Sequence, residues 1–585
     1  MKTLKLFNAV IAKKSNDQPY VSEQGYIIAS DALWAKKQII SFYKKEKLDG
    51  LDLNKTFHKS WKKILKSSRT ELWQDQVSHY FSTYGSQFQG EIYIPKEVLN
   101  VPDVKLTFQI VCAFTVEEMT QKCLELLKSG MALKEETIND LLSILVDELS
   151  YEFKEDENIK NKEAIIKIAD MYGVLPTDTM QFFRYIIYRA TNDSLLIKSN
   201  EVIEAIKASN YNPSVQFEKF GLEKMAEIFN RFKPLFLAFK SKCPRTINKI
   251  SKLSKSYHKP LVVNPLNLVT SVVLLNNDKH WLDNATPFAL FKALSACHSR
   301  MNGQYAFAYR IRNGKSFIKS NKVSGAVWPN YDYLYEYLKD RFDLTGKKFF
   351  LPEDVEYALP TSEKMYVGNI PTGSKFYGES LAVGIYWENQ WGADDLDLSG
   401  LNIGGKVGWN AHYKQGKSGD LMYSGDMTDA SKGAVEYLHA QNGLSAPTLV
   451  QNNVYYGAGN CEYKIIVGRG HEVNYDYMMD PNNLFMEAKS QSVQRQTILG
   501  MLMPEKDRQC FVLLNFGAGQ CRVSGNSEVS LTATRALYQQ WSNPISFREL
   551  ILELGAETVR NSDHADYDFS LNKLQKDSFL KVFKD

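Results

Sequence analysis

Two acidic clusters, about thirty residues apart, carry the clearest chemical signal in this chain. The first is W-E-N-Q-W-G-A-D-D-L-D-L-S-G, residues 387–400; the second is Y-S-G-D-M-T-D-A-S-K-G-A-V-E-Y-L, residues 423–438. Hard divalent cations need several oxygen ligands converging from adaptable backbone. Asp394, Asp395 and Asp397 offer one side of such a site, and Asp426, Asp429 and Glu436 the other. Gly392, Gly425 and Gly433 would let backbone carbonyls approach. In an extended chain Asp395 and Asp397 share one side while Leu396 and Leu398 take the opposite one. Three acids within four residues repel one another unless a cation or solvent neutralises them. The competing reading is turn chemistry, because Asp side chains bond readily to nearby backbone.

A second signal is electrostatic. From Arg231 to Lys322 there are 17 Lys/Arg against two acids, a net charge of +15 inside a chain whose total is +4. Residues 244–258, P-R-T-I-N-K-I-S-K-L-S-K-S-Y-H, read as an amphipathic helix with Pro244 in its first turn. Ile247, Ile250, Leu253 and Tyr257 form its apolar stripe, and Arg245, Lys249, Lys252 and Lys259 a basic one. Further on, residues 304–319 read as a hairpin around Asn313-Gly314 that carries Arg310, Arg312 and Lys315. Such a segment could neutralise nucleic-acid phosphates, dock on an acidic protein surface, or pair with the acidic remainder of the chain itself.

Familiar catalytic patterns are missing. The G-K-S runs at Gly314 and Gly416 lack the upstream glycine of a phosphate loop, and G-x-G-x-x-G, G-x-S-x-G and H-E-x-x-H do not occur. Seven scattered cysteines without a C-x-x-C pair argue against zinc ribbons. They fit reduced core residues in a cytoplasmic protein. No apolar run approaches the roughly 18 residues of a spanning helix, so no membrane is expected. The start, M-K-T-L-K-L-F-N-A-V-I-A-K-K, has too short an apolar run for a signal peptide and reads as a first strand.

The elements that would position these groups divide the chain. The spacing predicts a mixed α/β unit over 1–108, with helices near 32–43 and 59–66 and strands near 25–30 and 89–94. A helical unit follows over 109–260, where apolar residues recur at three and four. A basic α+β segment spans 261–358. From 359 to 540 short β-rich runs punctuated by Gly, Asn and Asp predict an antiparallel sandwich that closes its own core. Residues 541–585 read as a helical tail. The fold class is therefore α+β and multidomain, with a mostly helical N-terminal two-thirds.

The phrases G-I-Y-W-E-N-Q-W-G-A-D-D-L-D-L-S (384–399) and Y-S-G-D-M-T-D (423–429), with Glu436 opening the next strand, resemble the tellurium-resistance TerD-like family. That family is a β-sandwich whose members bind calcium, placing the first acids on a D-L-D-x-S turn and the next on a G-D loop. The family pattern carries a G-D-D-E run where this chain reads K-G-A-V-E, so two acidic ligands are missing and weak, single-site calcium binding is the expectation. Elsewhere F-H-K-S-W (57–61), F-F-R-Y-I-I-Y-R-A-T (182–191), L-L-I-K (195–198), I-N-K-I-S-K-L-S-K-S-Y-H-K-P (247–260) and D-Y-D-F-S-L-N-K-L (566–574) resemble a group of large bacterial and phage proteins. In that group a helical region is fused to a TerD-like end.

The expectation is a non-enzymatic binding or scaffold protein with a calcium-holding sandwich, in a stress or phage-related setting. The alternatives are an RNA- or DNA-binding protein acting through 231–322, and a virion or assembly component.

Overall fold

In the computed structural model the described residues are 1–21, 26–56, 109–257, 282–301, 306–310, 316–320, 327–415, 420–440, 444–469, 483–519 and 537–583, apart from isolated positions within them, with a few more between 68 and 74. The helix and strand expected near 59–66 and 89–94 lie outside them.

The architecture is α+β, with most helices before residue 342 and antiparallel strands after 354. The N-terminus departs from expectation. Lys2–Phe7 is a helix, closed by Asn8 at a left-handed φ of 50°, and only then does β1 (Ala9–Ile11) begin. The run T-L-K-L-F puts Thr3, Leu4, Leu6 and Phe7 into the core as a helical face. β2 (Tyr20–Val21), β3 (Tyr26–Ile28) and β4 (Gln109–Phe114) complete a small sheet in the order β1-β4-β3-β2, in which β4 pairs parallel with β1 and β3. The first unit thus needs a strand from beyond residue 108.

Helices Val116–Lys128, Glu135–Ser143, Lys162–Tyr172 and Thr179–Thr191 follow the predicted periodicity. Thr115 and Glu118 close a reciprocal capping box on the first of them, satisfying two amides that would otherwise lack partners. A phenylalanine-rich core of Phe182, Phe183, Phe217, Phe229 and Phe236 holds the helices between 166 and 250 together. Pro244–Leu253 is a helix with proline in its first turn. The expected hairpin is present as β5 (Ala306–Arg310) paired with β6 (Ser316–Ser320).

β7 (Lys348–Phe350) takes two parallel partners from the C-terminal segment, β23 (Glu557–Val559) and β24 (Tyr567–Asp568). That segment is therefore part helix, Phe547–Glu553 and Ser578–Val582, and part strand.

Two antiparallel sheets follow. Their strands are β8 (Val355–Glu356), β11 (Lys375–Gly378), β12 (Leu381–Trp387), β13 (Ala393–Asn402), β14 (Gly405–Gly408), β15 (Lys414–Gln415), β16 (Leu421–Tyr423), β17 (Ala434–Ala440), β18 (Thr448–Gly457), β19 (Glu462–Arg469), β20 (Leu484–Gln491), β21 (Gln496–Pro504) and β22 (Gln509–Gly519), with β9 (Tyr366–Val367) and β10 (Ile370–Pro371) as a separate ribbon. One sheet runs β14-β13-β18-β21-β22-β11-β8 and the other β15-β16-β17-β12-β19-β20. Leu396, Leu398, Val450 and Leu513 of the first share a core with Ile385, Tyr437 and Ile465 of the second. That core does not stop at the sheets. It continues into Met119, Leu141 and Phe291 of the helices and Phe547 and Phe579 of the tail.

Candidate metal centre

The acids expected on a turn lie on a strand. β13 is ten residues long, and every one of its residues except Asp394 is buried. It pairs with β18 from Ala393↔Gly457 to Leu401↔Leu449, with an irregular register around Asp395. On its other edge β14 reaches only Ser399–Asn402. The N-terminal half of that edge is therefore left without a strand partner, and the β16–β17 connection supplies what meets it. Gly425, at φ 101°, makes the turn that a side-chain-bearing residue would strain, and Asp426 follows it.

Asp395, Asp397 and Asp426 each offer a carboxylate oxygen, and these oxygens all lie within 4.8 Å of one another. The residues are 4%, 2% and 7% exposed. Asp397 Oδ2 and Asp426 Oδ1 are buried without a hydrogen-bond partner. Buried carboxylates ordinarily accept bonds or pair with cations, since leaving them bare is costly. Burial pushes the Asp426 carboxyl up to about 7. Burial, and then the charges of Asp395 and Asp426, drives Asp397 well above the usual carboxylate range.

Glu436 stands behind the cluster, fully buried on β17. Its two oxygens accept from the Leu398 amide at 2.7 Å and the Met427 amide at 2.9 Å. One bond caps the open edge of β13, the other fixes the residue after Asp426, so Glu436 ties the two acidic segments together and spends its oxygens on backbone. Burial and the neighbouring Asp426 and Asp397 raise its carboxyl well above the ordinary value.

Asp394 and Asp429, also expected as ligands, are not in the cluster. Asp394 alternates away from Asp395 on the strand, and it is its backbone carbonyl that accepts, from Trp387 Nε1 at 3.3 Å. Asp429 performs the turn chemistry: it accepts from Asn389 Nδ2 at 3.0 Å, from the Ser431 amide at 3.0 Å and from the Ser431 hydroxyl at 2.7 Å. Burial alone would raise its carboxyl, but these donors hold it below the ordinary value.

Three neighbours had no sequence signal. Lys406 on β14 is 7% exposed. Burial lowers its ammonium to about 8 although the Asp397 charge opposes that shift. The Tyr423 phenol is fully buried, lacks a hydrogen-bond partner and feels Glu436, Asp426 and Asp397. Asn453, opposite Asp397 in the ladder, donates to the Asp397 carbonyl at 3.3 Å. Among the described residues four buried carboxyl groups thus gather here, and the Lys406 ammonium acts on one of them, Asp397.

No family model, curated protein or solved structure matches the chain. The site has to be read on its own geometry.

The predicted phosphate-binding residues divide. Arg245, Lys249 and Lys252 are exposed on the helix Pro244–Leu253, whose Thr246, Ile247 and Ile250 are buried. Leu253, expected on the apolar stripe, is 37% exposed instead. Arg310 ends β5, and Lys259, Arg312 and Lys315 lie outside the described residues. No helix among the described residues is long and apolar enough to cross a membrane. The six described cysteines are free thiols.

Proposed function

We propose that the protein is a non-enzymatic binding or scaffold protein whose two sheets form a TerD-like β-sandwich holding a divalent cation, calcium, between Asp395, Asp397 and Asp426. The observation that carries this reading is the convergence of three carboxylates, with two buried oxygens lacking partners. Oxygens on opposite sides of a calcium ion at about 2.4 Å lie about 4.8 Å apart, whereas magnesium at about 2.0–2.1 Å requires a tighter octahedron. The carboxylate oxygens all lie within 4.8 Å of one another, a spread that a single divalent cation can span, and calcium is the ion that the family resemblance implies. Three carboxylates supply three to six oxygens, short of or just reaching calcium's roughly six to eight, so backbone or water completes the shell.

Glu436 acts as the brace that keeps Asp426 against β13. Lys406 competes with the cation for the same negative charge, which favours moderate affinity, in the roughly micromolar to millimolar range of sensor and extracellular sites. The absence of catalytic motifs supports a binding role. A stress or phage-related setting follows from the family resemblance alone.

Isothermal titration with calcium after chelator treatment tests the reading. Wild type should bind one ion, Asp397→Asn should lose at least tenfold in affinity, and Asp429→Asn should change little. No binding at about 10 mM calcium, above the weakest range for such sites, would overturn it.

A further inference from the structure

We infer that the exposed face of the helix Pro244–Leu253 is a docking stripe for the phosphate backbone of nucleic acid, independent of the carboxylate cluster. Between Arg231 and Lys259 the sequence contains nine Lys/Arg and no acid. The structure sorts this helix by face. Thr246, Ile247 and Ile250 are buried, while Arg245, Asn248, Lys249 and Lys252 are exposed, and Lys255 continues the exposed series on the following turn. At about 100° per residue the five exposed positions fall within about a third of the helix circumference.

Internal pairing does not use them. Some exposed lysines elsewhere find carboxylates, as Lys207 does with Glu204 at 2.8 Å and Lys339 with Glu336 at 3.3 Å, while others, such as Lys219 and Lys432, find none among the described residues. Among the described residues, Arg245, Lys249, Lys252 and Lys255 make no ion pair. Internal ion pairs among the described residues thus leave this face available to a ligand. An anionic membrane fits poorly, because the apolar side of the helix is already buried against Phe229, Phe236 and Phe239 rather than free to insert.

The spacing suits a polyphosphate. Ten residues from Arg245 to Lys255 span about 15 Å at about 1.5 Å per residue. One strand of a duplex rises about 3.4 Å along its axis per phosphate, so the stripe matches the axial rise of about four phosphates and can contact some of them. Asn248 adds a neutral donor in the middle of the stripe. The contacts proposed are to phosphates, which carry no sequence information, so binding should be largely indifferent to sequence.

The test uses the full-length protein and labelled DNA and RNA duplexes of about 20 base pairs, one to two helical turns, read by fluorescence anisotropy across a salt series. Wild type should bind unrelated sequences at low salt, with log affinity falling linearly in log salt. The triple variant Arg245→Glu, Lys249→Glu, Lys252→Glu should lose at least tenfold, and its salt slope should flatten by about 2 to 3, at about 0.7–0.9 per lost phosphate contact. Lys249→Arg with Lys252→Arg should retain binding, and Lys207→Glu, at an acid-paired position, should leave it unchanged. Absence of duplex binding by wild type, or equal binding by the triple variant with its circular dichroism intact, would overturn the inference. Equal affinity for polyglutamate or phosphatidylserine vesicles would overturn it in favour of generic polyanion attraction.

Discussion

Replacing Asp426 by Asn separates the metal centre from ordinary turn chemistry, because the two predict opposite changes in stability. The Asp426 carboxyl is 7% exposed and pushed up to about 7 in the folded protein, against about 3.9 in an unfolded chain. Both states are protonated at low pH. As pH rises from about 4 to about 7 the unfolded state gives up its proton and the folded state resists, so stability present below pH 4 is lost across that window. A shift of about three units at about 1.4 kcal/mol each sets a ceiling near 4 kcal/mol, and relaxation and water entry reduce the working figure to about 1–3. For a cooperative unit of roughly 150–250 residues this is about 2–12 °C in melting temperature. Asparagine removes the charge but keeps the shape. In chelator at pH 8, Asp426→Asn should therefore melt several degrees above wild type, and the difference should shrink towards pH 5. With calcium at a hundred times its measured dissociation constant the gap should close or reverse: wild type gains about 2.7 kcal/mol, and the variant gains little. Thermal melts followed by tryptophan fluorescence, with Trp387, Trp391 and Trp409 close to the acidic segments in the chain, give the readout. A variant less stable than wild type in chelator at pH 8, with an undiminished calcium response, would refute both the buried strain and the site.

Two further outcomes test how the surrounding structure is held. Glu363 is fully buried and receives the Lys134 amide at 2.7 Å, the Thr137 hydroxyl at 2.7 Å and the Lys576 ammonium at 2.9 Å, joining helix, sheet region and tail. Burial alone would raise its carboxyl, yet Lys576 and Lys134 hold it at about 2. Glu363→Ala leaves the part-buried Lys576 ammonium with only the Gly368 carbonyl and the Lys134 amide without its acceptor, and should cost about 3–5 kcal/mol in urea denaturation. In wild type the stabilisation should be present above about pH 4.5 and disappear as pH falls towards 2. On the basic helix, Ile250→Ala should cost about 2–5 kcal/mol while Leu253→Ala stays within about 0.5, and equal effects in denaturant melts would mean that the cationic stripe faces elsewhere.

Local pattern made much of the scaffold and both acidic segments legible, but not which of their carboxylates converge. The helices at 116–128 and 179–191 announce themselves because three- and four-residue spacing is a direct projection of helix geometry. β13 misleads for the complementary reason. Its Leu396 and Leu398 alternate as expected, but Asp395 and Asp397 read as acids of a turn, since carboxylates are rarely buried on a strand. The sequence carries the period of the strand and not what covers its second side. Asp429 and Asp394 are indistinguishable from Asp426 and Asp395 by residue type, and only the open edge of β13 and the turn at Gly425 decide which pair converges. Leu253 illustrates the limit at a helix end: three residues beyond Ile250 it belongs to the stripe by spacing, but the chain tightens into a 3₁₀ turn at Ser254–Ser256 and the side chain faces outward.

The braces of the centre are long-range contacts between two sheets, and this is why its chemistry was assigned to six residues when three converge. Glu436 is a ligand by type and spacing, but its oxygens are already held by Leu398 and Met427. Its role is therefore to hold Asp426 at β13 whether or not a cation is present. A centre braced by backbone amides should remain assembled in the apo protein, with the cost of three adjacent carboxyls met by protonation rather than by unfolding of the loop. Cation and proton then compete for the same oxygens, so calcium binding should release protons and weaken as pH falls below about 7, the value to which burial moves Asp426. Calorimetric titrations in two buffers of different ionisation enthalpy measure that release directly. An identical heat in both at pH 6.5 would mean that the carboxyls are already ionised and that the braced, protonated centre described here does not exist.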